Sequence, residues 1–293
     1  MYLLQLLISG LSLGSLYALI GLAFVLIYRS SGVVNFAQGE FMMFGAFIGF
    51  SLITYLQFPF LPAYILAVIL LFLFGFLVEW FVMRKLRGKK VFASVMVTIG
   101  FASILQGLSG MIWGHEIRKI PFPGELGVIK WGELVMYKLD LYAIGTTLII
   151  LLIFYVFFLR SKLGMATKAT ASDIEASYLI GIPVNFVHGF TWGLSSAVSV
   201  IAAIFIGALV FLEPTMGLFA LTAFPAIILG GLNSVLGAVV GGYAMGIIVN
   251  LAGGYLDAYI PGGTKEVVTY IVLLLVLMFR PYGLFGQKEI RRM

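Results

Sequence analysis

The chain has 293 residues, of which 62% are hydrophobic and only 10% charged. Soluble domains carry about 45–50% apolar and about 25% charged residues, so this composition excludes an ordinary globular protein and is that of a chain with lipid-facing surface. The lack of cysteine excludes disulfides, Fe–S clusters and Cys-ligated zinc, and the formal charge of +6 is no nucleic-acid footprint, because the basic residues sit in short clusters between apolar runs.

A spanning helix needs about 20 mainly apolar residues. The first run, Leu3 to Tyr28, is uncharged until Arg29. It lacks the basic start and short core of a cleaved leader, so a retained helix is expected. A second run extends from Phe41 to Leu56 after Glu40, with Pro59 and Pro62 marking a turn. A third runs from Tyr64 to Met83, holds Glu79, and is stopped by Arg84, Lys85, Arg87, Lys89 and Lys90. A fourth covers Val91 to Trp113. The polar segment Gly114 to Lys138, with Pro121 and Pro123, reads as an extramembrane loop with room for a short hairpin. A fifth run spans Leu141 to Leu159, and Arg160, Lys162 and Lys168 open a polar loop that reaches about His188. The sixth runs from Gly189 to Leu212. The stretch Leu218 to Leu256 holds either one span and a re-entrant piece or two short helices around Asn233. The last run is Val267 to Phe279, with Arg280 opening a basic tail. These elements predict one all-α, polytopic transmembrane helix bundle over 1–293, with eight or nine spans depending on whether 218–232 crosses or re-enters.

Short loops rich in Lys and Arg face the cytoplasm. The 84–90 loop, the 160–188 loop, Arg29 and the tail hold 13 of the 18 basic residues and are expected there, with the C-terminus. With nine spans the N-terminus lies outside; with eight it lies inside. Glycines recur four apart at Gly10/Gly14, Gly45/Gly49, Gly237/Gly241 and Gly242/Gly246, the spacing that lets helix backbones approach closely in lipid.

The loop after the fifth run carries its own helix signals. Ser172 and Glu175 form a Ser-x-x-Glu capping box, and Asp173 and Glu175 lie where the helix dipole favours anions. Gly181 is suited to the C′ position and Pro183 blocks continuation. The predicted helix, 173–180, is too short to persist alone in water and must dock on something. Ile174, Tyr178 and Leu179 give it an apolar side, for its own membrane domain or for a cytoplasmic partner.

Glu175-Ala176-Ser177-x3-Gly181 resembles the Glu-Ala-Ala-x3-Gly loop of ABC importer permeases, with Ser for the second Ala. The chain more widely resembles the branched-chain amino acid ABC permeases of LivH type. The likeness is carried in order by Ser12–Leu19 (SLGSLYAL), Gly32–Phe41 (GVVNFAQGEF, where the family usually has His in place of Gln38), Ala171–Pro183 and Arg280–Gly286 (RPYGLFG), with Gly230–Ser234 also fitting. The resemblance implies a membrane permease subunit in the cell membrane. Its partners would be a second permease subunit (identical or different), two ATP-binding cassette subunits and an extracytoplasmic substrate-binding protein. It marks Ser172, Asp173, Glu175, Ala176, Ser177, Tyr178 and Gly181 as the surface that couples to the ATPase. Leucine, isoleucine and valine are the default substrates, and urea and short amides are handled by related permeases.

Catalysis is not expected in the chain. Its Gly88-Lys89 lacks the glycine and Ser/Thr of a P-loop, so ATP and magnesium would be used by partner subunits. Neither His115 nor His188, both placed in or near loops, has metal-ligand spacing around it. Buried ionisable groups in a membrane mark functional sites by default. Asn35, Gln38 and Glu40 are read as part of a gate or translocation path, or as a helix start with Asn35 capping. Asn233 and Ser234 have the same two readings. Glu79 is expected to reach the interface or pair with Arg84 or Lys85. An ion-coupled carrier using Glu40 or Glu79, and a non-transporting scaffold, are the alternatives in other classes.

Overall fold

The computed structural model describes residues 2–123, 127–132, 134–209, 211–257, 259 and 262–286. Helices account for nearly all regular structure. In order they are α1 (Tyr2–Ser31), α2 (Gln38–Thr54), α3 (Phe60–Phe81), α4 (Val91–Trp113), α5 (Lys138–Arg160), α6 (Lys162–Ser172), α7 (Ile174–Leu179), α8 (Val184–Leu209), α9 (Phe219–Thr222), α10 (Phe224–Gly230), α11 (Val235–Leu256) and α12 (Thr264–Phe279). The expected hairpin in the loop before α5 is present: β1 (Val128–Trp131) pairs antiparallel with β2 (Leu134–Tyr137), Val128 facing Tyr137.

Among the described residues six helices are long and apolar enough to cross a bilayer: α1, α3 with its following turn, α4, α5, α8 and α11. α2 and α12 are shorter, at 17 and 16 residues. Most of the 218–232 segment, left open between crossing and re-entry, falls in the shorter apolar stretch Met216–Gly230. It is broken into a 3-10 turn (Met216–Leu218), α9 and α10, so α11 is the one long span of the 218–256 region.

The residues form two compact units. One comprises Met1–Val25, Gly124–Thr147 and Ala220–Met293; the other comprises Leu26–Pro123 and Leu148–Phe219.

In the first unit, α1 lies against α11 through glycines. A Cβ on Gly10 would meet Ile247 Cα at 3.0 Å, and one on Gly14 would meet Tyr243 Cα at 2.8 Å. Added Cβ atoms on Gly242 and Gly246 would strike Ala18 and Gly14 in return. Lipid supplies no hydrophobic drive between helices, so this contact rests on close backbone packing. The turn after α10 needs Gly231, at φ +109°, a region side chains avoid. The C-terminal segment folds onto that turn: Leu284 N–H donates to Leu229 O at 2.8 Å and Phe285 N–H to Gly230 O at 3.0 Å. These bonds satisfy carbonyls that the end of a helix leaves free. They give the Arg280–Gly286 and Gly230–Ser234 blocks a shared structural purpose. Deeper in this unit, Ser12 Oγ donates to Asp140 at 2.7 Å.

The second unit is built on α3 and α8. Gly75 lies where a Cβ would meet Trp192 O at 2.7 Å, and Gly193 where one would meet Phe72 O at 2.8 Å. Phe41, on α2, fills the centre with Trp192, Leu105 and Val78, and its ring packs edge-on against Phe74, Phe101 and Trp192.

Candidate functional site

The loop expected to hold one short helix holds two. Ser161 caps α6, accepting from Gly164 N at 2.8 Å. Because α6 continues through Ser172, that residue is helical and cannot cap α7. Its hydroxyl donates back to Lys168 O at 3.0 Å, so the Ser172–Glu175 capping box does not form. Asp173, in extended conformation, is the cap, and its Oδ1 accepts from Ala176 N at 2.9 Å. The other end is as the sequence predicts. Gly181 has φ +80°. Its N–H donates to Tyr178 O at 3.1 Å, and that of Ile182 to Ser177 O at 3.0 Å, which is a Schellman termination. The helix is thus fixed at both ends by its own residues.

Its apolar side is uncovered. Ile174 is 44% exposed, Tyr178 49% and Leu179 88%, and Glu175 and Ala176 are exposed too. Of the predicted surface only Ser177 is buried, its hydroxyl donating to Asp173 O at 2.7 Å.

Glu79, near the end of α3, is buried at 1% exposure. Its principal partner is Arg87, which the sequence did not single out, and Arg84, one of the two partners expected, is also paired with it at 3.9 Å. The 3-10 turn Met83–Leu86 returns the chain so that Arg87 reaches the carboxylate beside Arg84. Arg84 lies over the Trp80 ring at 3.7 Å. His188, expected in or near a loop, is buried in the second turn of α8 just past the loop, and His115 follows α4 beside Gly110. Among the described residues no cluster of three or more metal-ligating side chains occurs.

The segment before α2 forms a buried polar network. Asn35 is no helix cap. Its Oδ1 accepts from Ala37 N at 3.1 Å and its Nδ2 donates to Gln38 Oε1 at 3.0 Å, while Ala37 takes the N-cap position without side-chain help. Gln38 Nε2 donates to Ser199 Oγ and to Ser195 O, and Ser195 Oγ donates to Gln38 Oε1 at 3.2 Å. Ser195 and Ser199 escaped the sequence reading. Their signal was two serines four apart inside an apolar run, which places them on one helix face. Glu40 sits in the first turn of α2, where the helix dipole favours a carboxylate. It lies against the 3-10 turn Met216–Leu218: a Cβ on Gly217 would meet its Oε1 at 2.9 Å. Asn233 and Ser234 belong to the other unit. Ser234 caps α11, accepting from Gly237 N at 3.0 Å, and Asn233 occupies the preceding turn beside Gly286.

Removing Gln38 strands several buried partners, each costing about 1–3 kcal/mol if left unsatisfied. Gln38→Leu is expected to lower stability by about 2–3 kcal/mol in a detergent unfolding assay. Gln38→His, which keeps one donor and one acceptor, should cost about half as much.

Residues 6–277 match the family described as "branched-chain amino acid transport system / permease component". The chain belongs to this family. It is 31% identical to the high-affinity branched-chain amino acid transport system permease protein BraD of Pseudomonas aeruginosa, over 99% of this chain and 97% of that one. It is 28% identical to the permease protein LivH of Escherichia coli K12, over 100% and 98% respectively. Its fold is also that of PsaBC from Streptococcus pneumoniae, solved in complex with a Fab: the TM-score is 0.52 at 17% identity, over 96% of this chain and 92% of that one. Family membership and the apolar helices make the chain a multi-pass transmembrane permease component of a transport system, not an enzyme.

Proposed function

We propose that the chain is the permease subunit of an ATP-driven importer for leucine, isoleucine and valine, and that α7 receives the push of ATP hydrolysis from a cytoplasmic ATP-binding subunit. The observation that carries this reading is α7 itself: a helix fixed at both ends, with Ile174 and Tyr178 about half exposed and Leu179 almost fully so. An apolar side left open on a rigid short helix is a docking surface. The hydrogen bonds from Arg84 and Arg87 to Asn185 support a common side for the 84–90 and 160–188 loops, as a cytoplasmic placement of both requires. The C-terminus then lies on the cytoplasmic side. The working assembly comprises a second permease subunit, two ATP-binding subunits that use ATP and magnesium, and an extracytoplasmic binding protein that selects the substrate. Asn35, Gln38 and Glu40, and Asn233 and Ser234 in the other unit, are the path or gate candidates. The pairing of Glu79 with Arg87 weighs against Glu79 as an ion site.

Glu175→Lys reverses the charge of the docking surface, and Gly181→Trp forces a side chain into a left-handed position that costs about 1–2 kcal/mol. Each is expected to reduce ATP-driven uptake in proteoliposomes by roughly tenfold or more while the chain still inserts. Normal uptake with both changes overturns the docking assignment. Uptake by the chain alone, independent of ATPase subunits and abolished by Glu40→Gln, would make it a carrier instead.

A further inference from the structure

The docking helix is bonded to the start of α8 through the hydroxyl of Tyr178, whose ring also belongs to the docking surface. Tyr178 Oη, on α7, donates to Asn185 Oδ1 at 3.2 Å. The same oxygen accepts from Arg87 Nη1 at 2.6 Å, and the Asn185 carbonyl accepts from Arg84 Nη2 at 3.4 Å. Both arginines also hold Glu79 at the end of α3. Asn185 itself is the second residue of α8. Three elements therefore meet on one amide: the docking helix, the basic turn after α3, and the start of α8.

Beyond Asn185, displacement has few ways to dissipate. Phe186 packs edge-on against Phe76 of α3. An added Cβ on Gly189 would strike the Phe76 ring at 2.8 Å, and Gly193 and Gly75 bring the two backbones together. Close-packed helices move as bodies and do not deform continuously. Ser195, which bonds Gln38, lies roughly 15 Å further along α8 at about 1.5 Å per residue. The polar network at the start of α2 is thus attached to the helix whose first turn carries Asn185.

We propose that Asn185 is a positioning residue that passes movement of α7 to the α3–α8 pair, through its shared bonds to Tyr178 and Arg87. This rests on the reading of α7 as the ATPase docking helix. Loss of the acceptor leaves α7 able to bind its partner and leaves the arginines on Glu79, but separates the two. ATP hydrolysis then continues without its usual yield of transported substrate.

The test uses the complete transporter in proteoliposomes, with ATP hydrolysis and radiolabelled leucine uptake measured on the same preparation. Asn185→Leu is expected to raise the ATP consumed per leucine by roughly tenfold. Asn185→Asp, which keeps an oxygen acceptor facing both donors, is expected to restore a ratio within about twofold of the parent. Tyr178→Phe removes the hydroxyl alone; it should raise the ratio in the same direction and add nothing to Asn185→Leu, as members of one linkage do. An unchanged ratio in Asn185→Leu, or equal loss of hydrolysis and uptake in both the Leu and Asp variants, overturns the proposal and marks Asn185 as a fold residue. Additive effects of Tyr178→Phe and Asn185→Leu also overturn it. If Asn185→Leu does not assemble, Tyr178→Phe decides through its own ratio. ATP-independent uptake in the unmodified transporter removes the parent reading instead, a failure visible before any variant is made.

Discussion

Arg87→Met is expected to destabilise the chain by about 3 kcal/mol, read as a lowered unfolding midpoint of the purified protein in detergent. The magnitude follows from the asymmetry of the pair. Glu79 has a side chain 1% exposed, whereas those of Arg87 and Arg84 are 27% and 25% exposed. Taking away Arg87 leaves a carboxylate out of water with Arg84 alone, at 3.9 Å, and an uncompensated buried charge is among the costliest defects a fold can carry. Glu79→Gln should cost less, because the arginines left behind still touch solvent. The double change Glu79→Leu with Arg87→Met should recover most of the loss, since replacing both members of a buried pair by apolar groups is often neutral. A single Arg87→Met change within about 0.5 kcal/mol of the parent would mean that Arg84 suffices or that the pair is worth no more than a surface one.

The pattern of success in the sequence reading has physical causes. All four glycine pairs at spacing four mark helix contacts. Gly10 and Gly14 face α11, Gly45 and Gly49 face Val200 and Tyr64, Gly237 and Gly241 face α10, and Gly242 and Gly246 face α1. Apolar runs and small residues are local signals, and a membrane helix leaves few other ways to pack. The termination of α7 at Gly181 was legible for the same reason: a Schellman motif is built from adjacent residues. Its start was not. Whether Ser172 or Asp173 caps α7 depends on where α6 ends, and α6 gave no strong signal of its own in a loop of mixed polarity. Asn185 was invisible because its partners, Tyr178 apart, are remote in sequence, and Ser195 and Ser199 showed only as serines on one face of an apolar helix, which says nothing about what faces them. That Arg87 joins Arg84 on Glu79 was decided by a 3-10 turn, which periodicity does not register.

Gly230→Val is expected to be the most damaging single substitution in the first unit, with loss of more than about 4 kcal/mol and little folded protein in the membrane. A Cβ on Gly230 would fall on the carbonyl of Gly237, one on Gly237 would fall on the carbonyl of Gly230, and one on Gly241 would fall on the carbonyl of Ala226. Both partners of each contact are backbone, so no rotamer change can make room, as it could at Gly207, where the neighbour is the end of the Ile120 side chain. Overpacking in a core usually costs about 1–3 kcal/mol because side chains can shift; here α10 would have to separate from α11. The separation would also disturb the Gly231 turn and the amides of Leu284 and Phe285 that close α10. The control lies in the same protein. Gly100, Gly107 and Gly145 are helical glycines with nothing within 4 Å of an added Cβ, so alanine there should be neutral or stabilising by about 0.5–1 kcal/mol. A protease-protection or fluorescence-size-exclusion comparison of Gly230→Val with Gly107→Ala would separate the two cases. Equal folded yields would mean that α10 and α11 do not meet backbone to backbone.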